Sequence, residues 1–356
     1  HLGEWQIALA DQHLVIESPA ALKDLEATLR GVTLITGALD GNRTKPIDVE
    51  SLDWLNSFCK NHSIPLLIEA DGSRQKPLKA WAEYEPPIPT FIKHVVHVVG
   101  MTGIGKSLTE ENVHRAEVFA KVGGLEINEA ITPDALTRVL MHPEGGQKNI
   151  PAGARKTILL NQADSPELQS VAQGMAHTLL SSFDSVIVSS VAQGKIHAVH
   201  ESVAGIILAA GEARRFGKSK QLLDWKGETF VHAVSRKALE AGLSPVIVVT
   251  GANGEQVEAA VNDLNVIVIR NSDWKNGQGT SIKEGIKKLT TSPTVISGGA
   301  IFLLTDQPQI TPSILRALVE KHAEGLYPII APMVLDQRAN PVLFDQVAFH
   351  DLLGIE

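Results

Sequence analysis

Residues 208–223, LAAGEARRFGKSKQLL, place a turn of small residues and then two cationic side chains directly behind the apolar run 203–208. A short buried strand that ends in Leu208, Ala209, Ala210 and Gly211 lets backbone amides approach phosphate oxygens closely, because 209–211 carry no side chain larger than a methyl. Arg215 grips phosphate with a planar fork and Lys220 with a compact point charge, so together they suit a triphosphate under attack. For any one of these residues a strand-turn-helix corner with solvated charges is the alternative; the whole string favours chemistry. Asp306 follows a second apolar run, 300–304, at the carboxyl end of a strand, where ligands of open α/β sheets bind. Mg²⁺ takes one or two carboxylates together with phosphate oxygens and water, so one such Asp suffices as a protein anchor. Its alternative role is to cap a helix opening near Thr311. These parts fit a nucleoside triphosphate under nucleophilic attack. The rate would come from positioning and charge stabilisation, without a covalent enzyme intermediate.

The first half carries a separate set. A strand over 65–70 would deliver Glu69 and Asp71 to its carboxyl end, suited to Mg²⁺ or to orienting a water, with solvated turn carboxylates as the alternative. Asn161-Gln162-Ala163-Asp164 follows the strand 157–160 and is similar to the Asn-Lys-x-Asp loop that reads guanine in GTPases. Gln162 replaces the Lys there. Residues 100–107, GMTGIGKS, satisfy the phosphate-loop pattern behind an apolar strand. Such a loop normally follows the first strand, however, whereas Glu69 and Asp71 come earlier, which argues against phosphate binding at Lys106. The thirteen histidines show no ligand spacing: His94 and His97 are three apart on a strand, hence on opposite faces, and His197 and His200 repeat that pattern. His114 beside Arg115 could touch an anion or lie on a helix surface.

Positioning these residues requires parallel strands covered by helices. In the first half strands are predicted at 31–36, 66–69, 95–99, 157–160 and 185–189. In the second half they fall at 203–208, 245–249, 266–269, 300–304 and 329–331. A polar stretch at 191–202 separates the sets, which divides the chain into domains 1–201 and 202–356. The fold class is α/β, with two open, mainly parallel sheets.

Composition bounds the rest. A length of 356 residues suits two domains, and with 44% hydrophobic and 20% charged residues the chain has the make-up of a globular enzyme. No apolar run approaches the roughly 18 residues of a membrane span. A net charge of -8 argues against broad nucleic-acid or membrane-surface binding. One cysteine, Cys59 in a helical pattern, excludes an internal disulfide and suits the cytoplasm. The first residue is His1, and 350–356, HDLLGIE, ends inside a helical pattern, so material is expected to be missing at both ends.

The string 208–223 resembles the signature LAAGxSxRMGxxKxLL of the molybdenum cofactor nucleotidyltransferases, a MocA-like group within the GT-A/Rossmann-like nucleotidyltransferases. Ala213 replaces the usual Ser, and Phe216 the usual Met. Leu303-Leu304-Thr305-Asp306-Gln307-Pro308 is similar to the family's strand end, whose aspartate binds Mg²⁺. Asn276 with Gly277, Gln278, Gly279, Thr280 and Ser281 resembles the loop that closes over the nucleotide. Residues 338–342, RANPV, resemble the segment before the substrate-side strand. The resemblance implies CTP, since cytidylyl members carry LAAG where guanylyl ones carry LAGG. The methyl of Ala210 would then narrow the space beside the base, although one methyl contributes only about 1 to 3 kcal/mol of discrimination. It also implies molybdenum-bearing molybdopterin as the acceptor.

Residues 68–74, IEADGSR, continuing through 77–80, PLKA, resemble the YqeC type of selenium-dependent hydroxylase accessory family, as do 108–115, LTEENVHR, and 160–164, LNQAD. The family opens with a phosphate loop, which would place this half as a P-loop-NTPase-like remnant with its loop lying before His1. Glu69, Asp71, Ser73, Arg74, Asn161 and Asp164 are its candidate residues. The whole implies a cytidylyltransferase with an accessory domain and a molybdenum hydroxylase apoprotein as partner. A sugar- or alditol-phosphate nucleotidyltransferase, or a non-catalytic carrier of the cofactor, are the alternatives.

Overall fold

The computed structural model describes residues 7–41, 43–212, 219–291, 297–325 and 327–355. Strand β1 (Gln12–Val15) pairs in parallel with β2 (Thr33–Thr36). Helix α1 (Val49–His62) packs beside them; Asp48 caps it by accepting from the Ser51 amide at 2.8 Å, and Ser63 ends it in the left-handed region. Ile16, Leu22, Leu25, Leu55 and Phe58 form a small core of their own. Cys59 lies on α1, partly buried, and burial raises its thiol pKa.

The first large sheet starts at β3 (His94–Gly100), where alternation buries Val95, His97 and Val99 and leaves His94, Val96 and Val98 exposed. Helices α2 (Ala116–Gly123) and α3 (Pro133–Met141) follow. Then come β4 (Arg155–Asn161), α4 (Pro166–Leu179), β5 (Ser185–Ser190) and β6 (Lys195–Glu201). The order is β6-β5-β4-β3, parallel except for β6, which runs antiparallel to β5. Thr132 and Ser165 cap α3 and α4, each with a proline at the first helical position.

Two expectations fail here. Residues 65–70 have no regular secondary structure and join no sheet, and Leu67 is 92% exposed. A strand exists through its ladder, and at the carboxyl end of β3 the Gly100 amide already donates to Pro77 O at 2.9 Å. The polar stretch 191–202, read as the separator between the two sets of strands, is itself mostly strand. A 3₁₀ turn at Val191–Gln193 and the left-handed Gly194 reverse the chain into β6, which carries a bulge between Ile196 and Ala198.

Only Ser202 separates β6 from β7 (Val203–Ala209), the central strand of the second large sheet. Helix α5 (Phe230–Glu240), strand β8 (Val246–Thr250), helix α6 (Gly254–Ala259), strand β9 (Ile267–Arg270) and helix α7 (Gln278–Thr291) follow. Strand β10 (Gly299–Leu304), helix α8 (Pro312–Gly325), strands β11 (Ile329–Ile330) and β12 (Val342–Asp345) and helix α9 (Phe349–Gly354) complete it. The order is β9-β8-β7-β10-β12-β11; the first four are parallel and β12 is antiparallel to both of its neighbours. Every residue of β8 is buried, as a strand with helices on both faces requires. One apolar cluster joins β7, α5 and α8, and another joins β7, α7 and α9, so the sheet is covered on two sides. Among the described residues no helix is long and apolar enough to cross a membrane.

Candidate active site

In the order β8-β7-β10 the chain winds outward in both directions from β7, so the crevice beyond the carboxyl ends of β7 and β10 is the topological switch point. The small-residue turn leaves β7 there and Asp306 leaves β10 there, since Leu208 is registered against Leu304. Residues 213–218, and with them Arg215, Ala213 and Phe216, lie outside the described residues. Leu208 is half-buried, while Ala209 and Ala210 are buried. Among the described residues, a Cβ placed on Gly211 would meet only the Gln221 amide, at 3.9 Å, so their packing makes no demand for glycine at this position.

Lys220 and Asp306 meet across the crevice, with Nζ 2.5 Å from Oδ2 and both side chains accessible. Lys220 opens the 3₁₀ turn Lys220–Leu222, and the next residue, Gln221, is buried. Its Nε2 donates to Ala209 O at 3.1 Å and Gly211 O at 2.5 Å, and its Oε1 accepts from Ser219 Oγ at 2.5 Å. Sequence reasoning missed Gln221, although its place inside the motif beside Lys220 was the available signal. Lys237 on α5 donates to Pro308 O, which anchors the segment carrying Asp306. Among the described residues no group of three or more His, Cys, Asp or Glu converges on one point. A lone carboxylate fits Mg²⁺ held chiefly by phosphate oxygens, and not a cation caged by protein.

The side toward β8 is a second wall. A Cβ on Gly251 would come within 2.4 Å of Ala210 O, 2.8 Å of Trp274 Cγ and 2.9 Å of Ala210 Cβ, so only glycine allows this approach. The Ala210 methyl therefore fills the notch between the ends of β7 and β8. Asn271, buried behind β9, donates to Thr280 Oγ1 at 2.8 Å and Ser281 Oγ at 3.0 Å and accepts from the Asp273 amide. This fixes the loop that enters α7. Gly277 turns into that helix at φ 112° and ψ 174°, a conformation essentially reserved for glycine. Gly277 and Gln278 are exposed, Gly279 and Thr280 intermediate, and Ser281 buried with its hydroxyl committed to Asn271. On the far side, Val342 opens β12 opposite Phe302 of β10. A hairpin pairing Met333–Val334 with Gln337–Arg338 precedes it.

In the first half the structure brings two motifs together. Leu78–Lys79 pairs in parallel with Val113–His114. Lys79 Nζ lies 2.8 Å from Asp71 Oδ2 and 3.1 Å from Glu85 Oε2, and Arg115 grips Glu85 through two bonds of 2.7 Å. The Lys79–Asp71 contact lies off the hydrogen-bonding direction, which leaves Asp71 Oδ2 without a hydrogen bond. Burial opposes ionisation of Glu85, but Arg115 and Lys79 together hold its pKa below the usual range. His114 is buried, and burial plus the charges of Arg115, Arg74 and Lys79 lowers its pKa against the pull of Glu85. Ser73 Oγ donates to Lys76 O, and Arg74 is exposed at φ 55°. Glu69 and Asp71 thus sit on an irregular loop and not at a strand end. Asn161 Oδ1 accepts from the Val191 amide at 3.0 Å, Gln162 accepts from Thr102, and Asp164 is exposed. The 100–107 turn leads through the 3₁₀ turn Met101–Gly103 into a bridge between Ser107 and Ala130 rather than a helix. Without a helix N-terminus the loop lacks the amide dipoles that bind phosphate, so Lys106 is not part of a phosphate loop.

Two family models match this chain: the YqeC protein over residues 6–117 and the MobA-like NTP transferase domain over residues 205–356. The uncharacterized protein YqeC of Escherichia coli (strain K12) is 40% identical over 108 residues, covering 30% of this chain and 42% of that protein, so less than half of its length is spanned. The molybdenum cofactor cytidylyltransferase of the same strain is 31% identical over 139 residues, 39% of this chain and 67% of that protein. The nicotine blue oxidoreductase of Paenarthrobacter nicotinovorans is 30% identical over 149 residues, 40% of this chain and 71% of that protein. Sequence and switch-point geometry agree: the chain belongs to the MobA-like NTP transferases through a nucleotidyltransferase domain in its second half, joined to a YqeC domain in its first.

Proposed function

We propose that residues 202–356 transfer CMP from CTP to the phosphate of molybdenum-bearing molybdopterin and release pyrophosphate. Residues 1–201 act in the cytoplasm as an accessory domain in maturing a molybdenum hydroxylase. The observation that carries this reading is the meeting of Lys220 with Asp306, 2.5 Å apart, at the carboxyl ends of β7 and β10. In the reaction the amides beyond Leu208 receive phosphate oxygens and Lys220 moves from Asp306 to the charge building on the leaving pyrophosphate, which leaves Asp306 as the residue that would hold the metal. Arg215 keeps the phosphate-binding role that its sequence position suggests. Mg²⁺, held by Asp306 and the phosphates, would supply charge neutralisation. Ala210 in the notch beside Gly251 supports the smaller pyrimidine base, and Gly277 to Thr280 offer the flap over it.

An oxidoreductase name at similar identity is a reminder that one fold hosts different chemistries, so the test is product analysis. The protein is incubated with each NTP in turn, Mg²⁺ and isolated molybdenum cofactor. Pyrophosphate and the cytosine dinucleotide form of the cofactor are expected with CTP. Preference for GTP would move the base assignment, turnover only with a sugar or alditol phosphate would replace the acceptor, and cofactor binding without pyrophosphate would mark a carrier.

A further inference from the structure

We propose that Gln221 is a positioning residue for nucleotidyl transfer, acting through the backbone of the small-residue turn and through Lys220. The inference rests on the transfer reading above. Gln221 is 4% exposed, and both of its amide protons are spent on carbonyls two residues apart, Ala209 O and Gly211 O. A trans peptide points its N–H opposite to its C=O. Drawing those two carbonyls onto Gln221 therefore turns the N–H groups of Ala210 and Glu212 to the other side of the turn. Ala209 O and Gly211 O can only accept, which fixes the end facing them as Nε2, and Ser219 Oγ donates to Oε1 at 2.5 Å. The same 3₁₀ turn carries Lys220, whose Nζ reaches Asp306. Two consecutive side chains thus tie one short turn to the ends of both β7 and β10. Displacing Gln221 misaims the amide donors and the catalytic ammonium together.

The test compares the full chain with Gln221→Met, which keeps side-chain length without polar atoms, and Gln221→Glu, which sets a carboxylate against two carbonyl oxygens. Pyrophosphate release from CTP with Mg²⁺ and molybdenum cofactor should lose roughly ten- to a hundredfold in kcat, the cost of a small misplacement. KM for CTP should change far less, and Glu should be the worse of the two. Hydrogen exchange at residues 209–212 should accelerate in both variants while the remainder of β7 stays protected. A wild-type kcat in Gln221→Met, or equal losses in kcat and CTP affinity with unchanged exchange at 209–212, would overturn the proposal. If the wild-type chain releases no pyrophosphate with any NTP, the transfer reading fails on its own, and exchange alone then decides the role of Gln221. Should neither variant fold, Ser219→Ala removes only the bond that holds the carboxamide oxygen. A partial kcat loss with faster exchange supports the inference, and wild-type values overturn it.

Discussion

Lys220 and Asp306 are 86 residues apart in sequence and share an ion pair in the fold. Removing one donor or anchor of this kind costs about 3 kcal/mol of transition-state stabilisation, roughly a hundredfold in rate. Lys220→Ala and Asp306→Asn should each lose at least that in kcat/KM, and near-normal turnover in either would sink the assignment. Gly277→Ala forces a side chain into a glycine-only conformation at a strain of about 1–3 kcal/mol. Thermal melting should show that loss, together with a raised KM for the nucleotide because the loop entering α7 is displaced. The motif residues were legible because their types carry charge or demand smallness. Gln221 and Asn271 were not, since a buried amide announces itself only through the partners that the fold brings to it.

At the scale of elements, α5 is tied at its start by Glu228, which His232 Nδ1 meets at 2.6 Å and Arg236 Nη2 at 2.6 Å, while His232 Nε2 reaches Asp263 at 3.1 Å. Burial alone would lower the His232 pKa, but Glu228 and Asp263 outweigh it and raise the value. Its contribution to stability is thus full below the unfolded value near 6.5 and is lost as pH rises through the raised one. Arg236 leads in pushing Glu228 down to about 2, against burial and with help from His232, so that contribution is present above the ordinary Glu range and is lost as pH falls toward 2. Melting curves of wild type and His232→Gln should therefore converge as pH rises past neutrality; a constant gap would refute the linkage. Elements with continuous apolar runs, β7, β8 and β10, were readable from sequence. Strand β6 was not, because its polar Lys195, His197, His200 and Glu201 hide the alternation around a bulge. Residues 65–70 had the apolar pattern of a strand and lacked a neighbouring ladder.

For the whole molecule, the first sheet carries an acid liability that sets in at a higher pH than the loss of the Glu228 ion pairs. His97 is packed between Trp81 and Phe183. Burial first, and then the Lys79 ammonium, hold its pKa at about 4. Burial and His177 likewise hold His200 at about 4. The unfolded chain takes up these protons near pH 6.5 and the folded chain does not, so stability falls between pH 6.5 and 4, by on the order of 3 kcal/mol for a fully buried imidazole. Denaturant titration of His97→Phe should flatten this slope relative to wild type, and an unchanged slope would remove His97 as its source. The two-sheet plan was visible in the alternation of strands and helices, because that pattern is local. The order within each sheet was not, because it depends on which strands find each other.

Ser202, the one residue between β6 and β7, has its carbonyl held by the Gly298 amide and the Ser297 hydroxyl. The two halves therefore have no spacer that a protease could cut or a genetic splice could remove without fraying a strand on one side or the other. Their fusion is a stiff joint, since one residue leaves no length for the random-coil reach of a flexible tether.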